Sequence, residues 1–113
     1  MTLGQKQKLF TRLISELIIW AYENGYEFTK GDAFRSPRAF GKMGIRKAYG
    51  QKNSNHKLKL AQDLNLFIDG KYMTTTEAHR PIGEKWESMH ELCAWGGRFN
   101  DGNHYSLEHQ GRK

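Results

Sequence analysis

A chain of 113 residues has room for one modest hydrophobic core and not for a second, so a single domain over residues 1–113 is expected. Hydrophobic residues at 37% and charged residues at 27% exclude a disordered tail. The net charge of +6, from 18 Lys and Arg against 12 Asp and Glu, suits polyanionic surroundings such as nucleic acid, anionic lipid or cell-wall polymer without choosing among them.

The start of the chain, residues 1–8, is polar and lacks the apolar run of an export signal. Residues 2–24 then place Phe10, Leu13, Ile14, Leu17, Ile18 and Ala21 at helical spacing, which predicts an amphipathic helix with its apolar face in the core. Thr2 and Gln5 fit a capping box at its start, and Asn24-Gly25 offers a left-handed stop. Its most apolar part, residues 13–22, is broken by Ser15 and Glu16 and is too short to cross a bilayer, so no membrane span is expected.

Residues 26–29 alternate as a short strand does, and Lys30-Gly31-Asp32 turns the chain toward Phe34-Arg35-Ser36-Pro37. Gly41, Gly44 and Gly50, with Lys42, Arg46, Lys47 and Lys52 between and after them, predict a loop-rich basic stretch. Residues 61–68 read as a strand, Asp69-Gly70 as a tight hairpin turn, and residues 71–73 as the returning strand. Pro81 suits the first turn of a second helix carrying Ile82, Trp86 and Met89 on one face and ending near His90. Cys93, the single cysteine, excludes an internal disulfide and reads as an inert, half-buried apolar residue. Gly96-Gly97 breaks the chain, and residues 103–107 form a closing strand. The fold class is therefore α+β: a small antiparallel sheet packed with an N-terminal amphipathic helix and a shorter helix.

The chemistry lies in two separated stretches, Ser54 to Phe67 and Trp95 to His109. A catalytic zinc takes three protein ligands from imidazole nitrogens and carboxylate oxygens and keeps a fourth position for water. His56, Asp63 and His104 could supply that set, and Asp101, three residues before His104, could move protons. Five histidines and 12 acidic residues make chance triplets common, so spacing alone does not choose this set. His79, His90 and His109 read as loop or helix-surface residues, and Trp86 and Trp95 as core or groove residues, with Trp95 the better groove candidate.

Ser54, His56, Ala61 and Asp63 stand in register with a Ser-x-His-x-x-Gly-x-Ala-x-Asp motif, with Lys59 at the glycine position. Trp95, Gly96, Gly97, Phe99, Asp101 and His104 match a second motif, an acidic residue three before a histidine, and Phe34-Arg35-Ser36-Pro37 matches an upstream arginine context. On these residues the chain resembles the zinc D-Ala-D-Ala carboxypeptidase and L-alanyl-D-glutamate endopeptidase family, especially its small phage endolysins, from about residue 26 to 109.

The resemblance implies a zinc site at the sheet with His56, Asp63 and His104 as ligands, and Asp101 as general base and then acid. Many relatives carry Glu at the Asp101 position. Arg35 would bind a substrate carbonyl or carboxylate, with Ser54 and Trp95 as further substrate contacts. The expected substrate is the peptidoglycan stem peptide. The expected enzyme is a monomer that accumulates in the host cytoplasm without a signal peptide and reaches the wall after release. Two alternatives come from other classes: a zinc-binding module of the same fold without catalysis, and a nucleic-acid-binding protein using Arg46, Lys47, Lys52, Lys57 and Lys59 with Tyr49.

Overall fold

The computed structural model describes residues 1–31 and 58–111. Helix α1 spans Leu3–Glu23 and is closed at its start by the expected capping box: Thr2 Oγ1 accepts from the Gln5 N–H at 3.1 Å, and Gln5 Oε1 accepts from the Thr2 N–H at 2.7 Å. Such a cap stabilises a helix by about 1 kcal/mol. Gly25, at φ 89°, reverses the chain after the C-cap Asn24. The buried side is Phe10, Leu13, Ile14, Leu17 and Ala21, the spacing of one helical stripe.

Strand β1 (Tyr26–Lys30) pairs antiparallel with β2 (Ala61–Ile68). Asp69 and Gly70 both have positive φ, 53° and 78°, the geometry of a two-residue hairpin turn, and β3 (Lys71–Met73) returns along β2. Helix α2 spans Thr76–Met89. It begins five residues before Pro81, which lies inside it and not in its first turn, because Thr75 acts as N-cap and accepts from the Ala78 N–H at 3.2 Å. Its buried stripe is His79, Ile82, Gly83 and Trp86. A short strand absent from the expectations, β4 (Cys93–Trp95), leads into a 3₁₀ turn at Gly96–Phe99 and then β5 (His104–Leu107). Among the described strands the sheet order is β1-β2-β5-β4, with β3 beside β2.

One core joins the two helices to one face of this sheet. Leu60, Leu64, Leu66, Tyr105 and Leu107 meet Phe10, Leu13 and Leu17 of α1 and Ile82 and Trp86 of α2. Trp86 is fully enclosed, and its indole N–H donates to the carbonyls of Ala94 and Ser106, so the ring ties α2 to both β4 and β5. Truncating such a ring costs about 3–5 kcal/mol. No helix among the described residues is long and apolar enough to cross a membrane.

Candidate functional site

Asp63 and His104 face each other across the β2–β5 ladder. The Leu64 N–H donates to the Asn103 carbonyl and the Leu107 N–H to the Leu60 carbonyl, which makes Asp63 and His104 a non-hydrogen-bonded pair. Side chains approach most closely at such pairs. Alternation along β2 sends Leu60, Leu64 and Leu66 into the core and Asp63 to the opposite face, and the same alternation separates His104 from Tyr105. Gly31 leaves room beside the carboxylate, since a Cβ there would lie 3.0 Å from Asp63 Cβ.

Asp63 Oδ1 lies 3.5 Å from His104 Nδ1, and both side chains are mostly covered, at 20% and 16% exposure. That separation is longer than a usual hydrogen bond. Two ligands on one tetrahedral zinc, each about 2.0–2.2 Å from it, stand roughly 3.4 Å apart. The oxygen and nitrogen are thus of the right kind and spacing to share a zinc ion. Among the described residues no group of three or more His, Cys, Asp or Glu side chains is assembled for a metal. His56, Ser54 and Arg35 lie outside the described residues, as does the basic glycine-spaced stretch.

Asp101 is joined to His104 by a turn in which the His104 N–H donates to the Asp101 carbonyl at 3.1 Å. The Asp101 N–H donates to the Gly96 carbonyl at 2.9 Å, and Gly96 has no space for a side chain, as a Cβ there would sit 2.3 Å from that same Asp101 carbonyl oxygen and 2.9 Å from His104 Cβ. Beside Asp101 is a polar depression of about 170 Å³, lined also by Asn65, Thr74, Thr76, His79, Asn100 and Asn103. Among the described residues no Lys or Arg lines it.

Two expectations, for His79 and Cys93, are corrected here. Trp95 is buried, at 6% exposure, with its indole between Gly83 and Gly97; it does not line the depression at Asp101 but lines a second one with Arg80, Glu87, Gly97 and Arg98. His79 is no surface residue: it is 3% exposed, and its Nδ1 lies 2.7 Å from the Tyr105 hydroxyl. Burial drives the His79 pKa down to about 4 and pushes the Tyr105 hydroxyl above its usual range, so both groups stay neutral. Cys93 is buried in the core, not half-buried, and burial pushes its thiol up to about 12, which agrees with an inert role.

No protein-family model and no curated protein matches the sequence. Among solved structures, the chain is similar to a vancomycin-resistance D,D-pentapeptidase, VanY from a VanB-type resistance cassette, solved as a variant in complex with Zn(II). The TM-score is 0.57 at 18% identity, over 87% of this chain and 70% of that one. The two chains share a fold. Against that fold the described histidines separate clearly: His104 stands on the sheet beside Asp63, His90 accepts from the Leu92 N–H beyond α2, and His109 lies 3.1 Å from Lys6 Nζ.

Proposed function

We propose that this chain is a zinc-dependent peptidoglycan peptidase that cleaves a bond of the stem peptide, as an L-alanyl-D-glutamate endopeptidase or a D-Ala-D-Ala carboxypeptidase. The observation that carries this reading is the pairing of Asp63 with His104 at 3.5 Å on adjacent strands, with Asp101 held three residues away. The fold shared with a zinc-bound D,D-pentapeptidase supports it further.

His56, Asp63 and His104 would hold the zinc, which when bound supplies Lewis acidity toward a carbonyl oxygen and brings the pKa of water toward neutrality. Asp101 accepts the proton of the attacking water at a carboxylate oxygen and passes it to the nitrogen of the departing amine. Arg35 orients the substrate with its planar fork of donors, and Ser54 adds a hydroxyl contact. The net charge of +6 favours adhesion to an anionic wall. The reading extends to a monomeric phage or prophage endolysin that is made in the host cytoplasm and meets its substrate once the membrane has been opened.

The test is digestion of purified peptidoglycan by protein of measured zinc content, with mass spectrometry of the products. One zinc per chain and new stem-peptide termini are expected, and the termini identify the bond. Zinc-loaded protein that leaves the wall intact, or a salt-sensitive DNA shift by zinc-free protein, would overturn the reading.

A further inference from the structure

The turn that carries Asp101 and His104 is fastened at its centre by two side chains from other elements. The Gly102 N–H donates to Thr76 Oγ1 at 3.2 Å, and the Gly102 carbonyl accepts from Trp95 Nε1 at 2.7 Å. Gly102 is pressed against α2 so closely that a Cβ on it would fall 2.6 Å from Thr76 Cα. The Trp95 ring has no freedom of its own, since a Cβ on Gly83 or on Gly97 would come within 2.1 Å or 2.3 Å of it. On either side, the Asp101 N–H is bound to Gly96 and the Asn103 carbonyl accepts from Leu64. Both peptide groups of Gly102 are therefore fixed to rigid elements, one to the first residue of α2 and one to the last of β4.

We propose that Thr76 and Trp95 are positioning residues, whose clamp on Gly102 sets the placement of the Asp101 carboxylate relative to the His104 ligand. This rests on the zinc peptidase reading given above. Neither side chain needs to touch the substrate. Their effect is on the geometry in which a proton is moved, where a displacement of about 1 Å can cost on the order of a hundredfold in rate. A displaced proton carrier lowers turnover while leaving substrate affinity and metal ligation in place, so the signature is a fall in kcat with KM and zinc content unchanged.

The deciding pair of variants is Thr76→Val, which keeps the shape and removes the hydroxyl, and Thr76→Ser, which restores it. In the zinc-free protein, amide hydrogen exchange at Gly102 should be about tenfold faster in Thr76→Val than in the parent or in Thr76→Ser. That measurement tests the clamp whether or not the protein is a peptidase, and equal exchange in all three would overturn it. On wall fragments, Thr76→Val should lose about tenfold or more in kcat with KM within about twofold, and Thr76→Ser should stay within about twofold of the parent. Faster exchange with undiminished kcat would overturn the positioning role. So would loss of zinc by Thr76→Val, or equal impairment of both variants. Parent protein that binds zinc but cleaves nothing would instead sink the peptidase reading, and the positioning role with it, while leaving the exchange result standing.

Discussion

Lys59 stands where the motif that the sequence resembles has glycine, and it has φ 58°, in the left-handed region that favours glycine. Lys59→Gly should therefore stabilise the fold, by about 1 kcal/mol, measured as a higher urea midpoint at unchanged slope. Two further substitutions separate ligand from proton carrier. Asp101→Asn should retain zinc and lose about a hundredfold or more in turnover, since an amide cannot accept the proton. His104→Ala should lose zinc and activity together, and zinc content measured beside rate distinguishes the two. That Asp63 and His104 come together, with Asp101 in the turn before His104, was legible through the motif resemblance. The burial of Trp95 and His79 was not, because tryptophan and histidine suit a groove or a surface as well as a core until their neighbours are known. Gly83 and Gly97 account for the burial of Trp95 by admitting the indole between them.

At the scale of elements, α1 and the β2–β3 hairpin follow from local chemistry: a capping box, a glycine stop and an Asp-Gly turn each act within a few residues. The start of α2 was displaced because Pro81 is favoured in a first turn, whereas Thr75 and the acidic Glu77 already provided a cap and a favourable first-turn charge. Once α2 begins at Thr76, His79 falls on the same stripe as Ile82, Gly83 and Trp86, and its burial against Tyr105 follows. Strand β4 is three residues long, too short for alternation to reveal it. The His79–Tyr105 contact between α2 and β5 has a pH consequence. The folded pKa of His79, about 4, lies below the ordinary 6.5, so above pH 6.5 the ring is neutral in both states and contributes no slope. As the pH falls from 6.5 toward 4 the unfolded chain takes the proton first, and stability declines by about 3 kcal/mol in all. Urea melts at pH 7 and pH 4.5 should show this decline, and His79→Gln should remove most of it.

For the molecule as a whole, the core between two helices and the sheet is built of side chains that include none of the candidate zinc ligands, so chelation should lower stability without unfolding the protein. A zinc held at about a hundredfold excess over its dissociation constant stabilises by about 2.7 kcal/mol, and a chelator should lower the melting temperature accordingly. An unchanged melt would mean that the metal does not tie the strands together. The strand order β1-β2-β5-β4 also bears on how the molecule comes into being. The last described strand to be synthesised is not at an edge but inserts between β2 and β4, and the Asp63–His104 pair spans that insertion. A nascent chain on the ribosome has Asp63 long before His104 and cannot bring the two together until β5 has emerged. On the zinc-peptidase reading, metal capture would then have to wait for β5, and translation products halted before β5 should bind zinc poorly however well α1 and the β2–β3 hairpin had formed.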